Sequence, residues 1–176
     1  DLLMAGIMAL VALPVGLAIA IAIRLDSAGP VIYAQTRIGR DGKPFRCYKF
    51  RSMVVGAEEM REELVDANEA SGPLFKVRED PRRTRVGRFL RRYSLDELPQ
   101  LWNVLKGDMC LVGPRPPTVY ETEMYDRQQG QRMGAVPGMT GLWQVSGRCK
   151  ASYEEMIQLD LEYIEHQSMW LDLKIL

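Results

Sequence analysis

The sequence predicts a mainly helical α+β protein with a membrane-inserted helix at its N-terminus. Three observations predict it. Residues 2–23 form an uncharged, almost wholly apolar run. A β-hairpin signature surrounds Asp41-Gly42. The remainder carries several short stretches with helical spacing and capping residues. The expected division is a membrane-inserted helix over 1–25 and one compact unit over 26–176.

The apolar run would make a helix about 33 Å long, close to the roughly 30 Å hydrocarbon thickness of a bilayer. It lacks the basic leader and small-residue cleavage site of a signal peptide. Pro14 sits mid-run with Gly16 just after it, and an internal proline removes one helical hydrogen bond and kinks the axis. A straight span and a re-entrant hairpin bent at Pro14 are both compatible with this. The following segment is basic (Arg24, Arg37, Arg40, Lys43, Arg46, Lys49, Arg51), which places it on the cytoplasmic side by the positive-inside tendency.

Asp26, Ser27, Gly29 and Pro30 end the first helix. Val31 to Ile38 and Pro44 to Phe50 read as two strands joined by turn residues 39–42. Met53 to Ala70 reads as a helix with Met60 and Leu64 on one face, and Leu74 to Val77 as a short strand. Thr84 is placed to cap a helix reaching Arg92. A further helix is expected over Leu95 to Leu105, ending near Gly107, although Pro99 moves its regular part toward Leu98 or Pro99 and leaves Asp96 and Glu97 on a turn. Thr118 to Arg132 reads as helical, and Val136 to Lys150 as a glycine-rich loop. Ser152 to Gln167 is an amphipathic helix, and the apolar segment from Trp170 suits a membrane interface.

Composition excludes several functions. Lys plus Arg and Asp plus Glu balance at 23 each, so a nucleic-acid partner bound by counter-ion release is not expected. One histidine, His166, rules against multi-histidine metal sites, and the three dispersed cysteines form no zinc or disulfide pattern.

The chemistry concentrates between Arg78 and Arg115. Seven arginines fall in 78–92 against two acids, Glu79 and Asp80, and guanidinium groups bind phosphate in a bidentate way. The same cluster would also suit anionic lipid headgroups. Ser94-Leu95-Asp96-Glu97 follows directly. Adjacent carboxylates beside phosphate-binding arginines point to phosphoryl chemistry, while Ser94-x-x-Glu97 also fits a capping box. In a first helical turn, Asp96 would be held in its ionised form by the dipole and the arginines, as suits a nucleophile or a metal ligand. Gly113-Pro114-Arg115-Pro116-Pro117 is a stiff loop presenting one arginine. The Pro137 to Arg148 block offers glycines for close backbone approach, and Arg148 as another anion contact. Trp143 in that block reads as packing.

These segments resemble, in unbroken order and over nearly the whole chain, the bacterial sugar transferase family, the monotopic phosphoglycosyl transferases. The resemblance rests on Tyr48 to Met53, Ser94 to Met109, Val112 to Pro116, Pro137 to Arg148 and Trp170 to Lys174. It is strongest with the long members, of which this chain would be the C-terminal catalytic portion. A first residue other than Met and a last residue inside an apolar run fit that expectation.

The resemblance implies transfer of a sugar 1-phosphate from a UDP-sugar to polyprenyl (undecaprenyl) phosphate, with Mg²⁺, at the cytoplasmic face of the bacterial inner membrane. It implies Asp96 as nucleophile forming an aspartyl-phosphosugar, and Glu97 as metal ligand or base, with Asp96 and Glu97 the metal-binding pair. It implies Lys49, Arg51, Arg91, Arg115 and, more weakly, Arg148 as phosphate- or nucleotide-binding residues. It also implies a re-entrant leader, though Leu13 stands where many members have serine before the bend proline. The sugar is left open among glucose, galactose and hexosamines, and so is the oligomeric state, a homodimer included. The competing reading is a non-enzymatic membrane-surface module that holds anionic lipid or a partner through its arginines.

Overall fold

A computed structural model describes residues 1–69, 72–75, 77–127, 129–147 and 152–176. Helix α1, Leu2–Asp26, runs through Pro14 and ends at extended Ser27. Its buried side follows one stripe. Ala5, with Ala9 and Ala12 beside it, packs into a core with Leu101, Val104, Leu111, Tyr163 and Ile175. Farther along, Ile19 and Ile23 meet Phe50 and Leu90. Small residues at the N-terminal end let the helix approach the domain closely. The opposite side is left bare: Leu3, Ile7, Leu10, Val11, Leu13, Leu17 and Leu25 are all exposed.

Strands β1, Ile32–Ile38, and β2, Pro44–Phe50, pair antiparallel with Ile32 opposite Phe50 and Ile38 opposite Pro44. A short 3₁₀ turn at Arg40–Gly42 joins them. Asp41 and Gly42 take positive φ there, the geometry that Asp-Gly supplies at low cost. After β2 the chain departs from expectation. The helix expected over 53–70 is instead a 3₁₀ run, Glu59–Ala67, and Met53 forms an isolated antiparallel bridge with Arg83. No strand forms among the described residues of 74–77.

Helix α2, Arg85–Arg92, is capped by Thr84, whose hydroxyl accepts from Gly87 N at 2.9 Å. The single helix expected over 95–105 is split into a 3₁₀ turn, Leu95–Glu97, and helix α3, Gln100–Lys106, which starts behind Pro99 and ends at left-handed Gly107. Strand β3, Cys110–Val112, pairs in parallel with β4, Gly138–Thr140, a ladder with no local sequence signal. The helix expected over 118–132 shrinks to α4, Val119–Glu123, followed by a 3₁₀ turn at Gln129–Gly134. Helix α5 covers Leu142–Gly147 inside the block expected to be loop. Helix α6, Tyr153–Glu165, opens with a Ser152/Glu155 capping box. Helix α7, Met169–Ile175, is capped by Ser168 and leaves Met169, Trp170 and Leu173 exposed.

Candidate active site

The site forms where β2, the 95–97 turn and the proline loop converge. Ser94 adopts φ 56°, ψ 21° and makes no side-chain cap, so the capping box is absent. A left-handed serine is uncommon. Here it reverses the chain after α2 and turns Asp96 inward, leaving the residue 5% exposed. Asp96 Oδ2 lies 3.9 Å from Arg91 Nε. Next to it, Lys49 Nζ donates to Glu97 Oε1 at 2.6 Å.

The electrostatics of Asp96 correct the expectation of a carboxyl held low by a helix dipole and arginines. Burial pushes it above the usual carboxylate range, and Glu97 adds to that. Lys49 and Arg91 act in the opposite sense without cancelling the effect. A carboxylate that is poorly solvated yet kept close to two cations is a better nucleophile than one stabilised by water.

Arg115 is positioned by its backbone. All four carbonyls from Pro114 to Pro117 are occupied: Gly138 N donates to Pro114 O at 2.9 Å, Arg132 Nη2 to Arg115 O at 3.1 Å, Arg37 Nη1 to Pro116 O at 2.9 Å, and Ile38 N to Pro117 O at 3.0 Å. The prolines have no N–H to satisfy, so the loop is fixed through its acceptors. The guanidinium pairs with Glu121 at 2.9 and 3.2 Å. Although burial acts to raise Glu121, the charge of Arg115 and its hydrogen bonds hold it below the ordinary range. Behind the loop, buried Arg132 bonds Asp160 and donates to Tyr125 Oη at 2.6 Å. Burial pushes Asp160 up to about 6 even against the charge of Arg132.

Of the residues singled out from sequence, Asp96, Glu97, Lys49 and Arg91 come together, and Arg115 and Lys49 line one shared cavity of about 130 Å³. Arg51 is placed elsewhere. It is buried with its guanidinium bonded to the carbonyls of Ser27 and Ala28 and to Ser27 Oγ. That contact ties the end of α1 to β2. Arg148 lies outside the described residues.

Arg37 also lines the cavity, and sequence reasoning counted it only as part of a basic stretch. It is pushed down to about 10, by burial first and then by the charge of Arg115. Its alternation with Gln35 and Ile38 in β1 marked a strand, and nothing local marked its contact with residues 79 positions away. Gln100, Met139, Trp143 and Gln144 are also part of the lining. The close packing of Gly113, Gly138 and Gly141 brings this segment in. A Cβ on Gly138 would lie 2.1 Å from Gly113 N, and one on Gly141 would lie 2.4 Å from Gly113 O.

The chain is similar in sequence to several known bacterial transferases. The chain is 49% identical over 176 residues to "Galactosyl transferase CpsE" of Streptococcus agalactiae serotype III, covering 99% of this chain and 37% of that protein. It is 50% identical over 156 residues to "Undecaprenyl-phosphate galactose phosphotransferase" of Salmonella typhimurium, covering 84% of this chain and 32% of that protein. It is 44% identical over 183 residues to "UDP-glucose:undecaprenyl-phosphate glucose-1-phosphate transferase" of Escherichia coli K12, covering 99% and 37%. The chain thus spans roughly a third of the length of these relatives. The family described as "Bacterial sugar transferase" matches residues 1–176, and the chain belongs to that family.

Proposed function

We propose that this chain is the catalytic portion of a phosphoglycosyl transferase, which moves a sugar 1-phosphate from a UDP-sugar to polyprenyl (undecaprenyl) phosphate and releases UMP. The observation that carries the reading is buried Asp96, set on a left-handed turn 3.9 Å from Arg91 and next to the Lys49–Glu97 pair. The names of the Salmonella and Escherichia relatives, which specify phosphosugar transfer involving undecaprenyl phosphate, support it. A lipid-headgroup module would explain the arginines but gives no reason to bury a carboxylate among them.

In this reading an Oδ of Asp96 attacks the phosphorus bearing the sugar. The bond from that phosphorus to the bridging oxygen breaks, and UMP leaves with the electron pair. An oxygen of polyprenyl phosphate then attacks the same phosphorus, the P–Oδ bond breaks and the carboxylate is restored. One anhydride is exchanged for another, so covalent catalysis splits the transfer into two modest steps. Arg91 and Lys49 neutralise the charge around the attacked group, and the fixed proline loop offers Arg115 to the phosphates at small entropic cost.

Asp96 and Glu97 would hold Mg²⁺. Among the described residues no cluster of three or more His, Cys, Asp or Glu could hold a metal. Two carboxylates are a fitting set for Mg²⁺, which completes its shell with water and substrate phosphate oxygens. When bound, Mg²⁺ supplies neutralisation of diphosphate charge.

We read α1 as inserted into the cytoplasmic face of the inner membrane without crossing it. Both halves of the helix pack on the same domain, Ala5 against the Leu101 core and Ile23 against the Leu90 core. A helix docked at both ends cannot deliver one end to the far side of a bilayer while the domain stays in water. Exposed Phe89, Tyr93, Trp102 and Trp170 supply the interfacial aromatics that such seating requires.

The test is UMP release from UDP-sugar with Mg²⁺ and polyprenyl phosphate. Asp96→Asn should lower turnover by about 10³-fold or more while membrane association persists. Turnover near the unmodified level would remove Asp96 as the nucleophile. For topology, cysteines placed at positions 2 and 27 should both react from the cytoplasm, and reaction of position 2 from the periplasm alone would overturn the non-crossing arrangement.

A further inference from the structure

Three cations, Arg37, Lys49 and Arg115, line the cavity beside the Lys49–Glu97 pair. Two of them have a carboxylate of their own: Lys49 pairs with Glu97 at 2.6 Å, and Arg115 with Glu121 at 2.9 Å. Arg37 has no ion-pair partner among the described residues. Its Nε donates to Gln35 Oε1 and its Nη1 to Pro116 O, both at 2.9 Å, and both acceptors are neutral. Its Nη2 has no hydrogen-bond partner among the described residues. The residue is half-buried. Burial, and after it the charge of Arg115, disfavours the charged form. A guanidinium withdrawn from water without a counter-charge is costly, and an anion beside it offsets that cost. Two arginines lining one small cavity supply the forked donors that bind phosphate oxygens.

We propose that Arg37 is a substrate-contacting residue, which together with Arg115 binds the nucleotide-side phosphate of the donor in this cavity. The proposal rests on the transferase reading above for the identity of the donor. A volume of about 130 Å³ is well under the roughly 300–1,000 Å³ that a drug-sized ligand occupies, so the cavity takes one group of the donor and not the whole. A lipid phosphate carries the same chemistry, but the lining argues for the nucleotide. Among the described residues none of α1 or α2 lines this cavity. The groove between those two helices is a separate and mostly apolar one, with Val15, Ile19, Phe89 and Leu95 in its walls. Leu95 and Glu97, on either side of Asp96 in sequence, thus line different cavities. A phosphate tethered to a hydrocarbon chain suits the apolar approach, and the donor's nucleotide phosphate suits the cationic one. When the bridging bond breaks and UMP leaves with the electron pair, the added negative charge falls on the group that Arg37 holds.

Binding of UMP, uridine and farnesyl phosphate to the full chain in detergent, without Mg²⁺, tests the proposal. The unmodified chain should bind UMP at least about 10-fold more tightly than uridine. Arg37→Met should weaken UMP binding by about 10-fold and leave the binding of uridine and farnesyl phosphate unchanged. Arg37 also holds Pro116 O, so a purely supporting role needs its own arm. In a chain carrying Arg115→Met with Glu121→Gln, which strands no carboxylate, Arg37→Met should still cost UMP binding about 5-fold or more. No further loss there would make Arg37 only a prop for the proline loop and overturn the contact. Equal binding of UMP and uridine by the unmodified chain would overturn it even if every variant failed to fold. A loss confined to farnesyl phosphate would give the cavity to the acceptor and overturn it as well. Transfer that proceeds while UMP binding ignores Arg37→Met removes this contact and leaves the transferase reading. The predicted UMP pattern in a chain that transfers no phosphosugar does the reverse.

Discussion

The amine of Lys49 lies 2.6 Å from Glu97 Oε1, joining the end of the hairpin to the turn that carries Asp96. Both side chains are roughly a quarter to a third exposed, so the pair adds little to stability, about 0–1 kcal/mol. Its importance is electrostatic, because Lys49 is the leading influence drawing Asp96 back toward its ionised form.

Replacing Lys49 with Met should therefore leave the melting temperature nearly unchanged and raise the Asp96 pKa further. In the proposed mechanism activity requires the carboxylate and falls as pH falls through that pKa. The acid limb of the pH–rate profile should move to higher pH, with kcat/KM down about 10²-fold at neutral pH. An acid limb that stays in place would separate Lys49 from Asp96.

Asp96→Asn should raise thermal stability while abolishing turnover. A carboxyl whose folded pKa lies above its unfolded value contributes stability that is present at low pH and lost as pH rises through the folded value. At neutral pH the buried charge is thus a burden, and a neutral amide of similar shape relieves it. The gain in melting temperature should shrink as pH falls into the ordinary carboxylate range. A constant gain across pH would assign it to packing.

Arg132 and Asp160 are fully buried partners behind the proline loop. Arg132→Met or Asp160→Leu alone strands a charge and should cost about 3–5 kcal/mol. The double variant should cost clearly less than the two combined, as a double-mutant cycle on denaturant unfolding would show. Arg132→Met should also reduce activity, because Arg115 O loses its donor.

Gly87→Ala should destabilise the protein by about 2–4 kcal/mol, although Ala is normally the better helix former. The added Cβ would lie 1.9 Å from Ser52 O, and backbone cannot swing aside as a side-chain tip does. Displaced α2 would carry Arg91 away from Asp96, so phosphosugar transfer should fall together with the melting temperature.

Much of this was legible in the sequence because its causes are local. Asp41-Gly42 fixed the hairpin, Thr84 the start of α2, and Pro99 correctly forced Asp96 and Glu97 off the helix. What stayed hidden depends on distance along the chain. Three-residue strands pairing 28 positions apart, Cys110 with Gly138, leave no periodicity to read. Arg51 was implied as a phosphate-binding residue by the resemblance of its motif, and only the fold shows that its guanidinium bonds Ser27 and Ala28. The direction of the Asp96 shift was also out of reach, since desolvation depends on what covers the carboxyl and not on its neighbours in sequence.

The grip of Arg51 on Ser27 and Ala28 has a mechanical meaning. It removes the hinge between the apolar helix and the strand that bears Lys49. If the helix is seated in lipid as proposed, the two move as one lever, and the height of the carboxylate proposed to react becomes a fixed dimension of the protein. A long-chain phosphate floating at the headgroup level would then meet its partner at one set elevation.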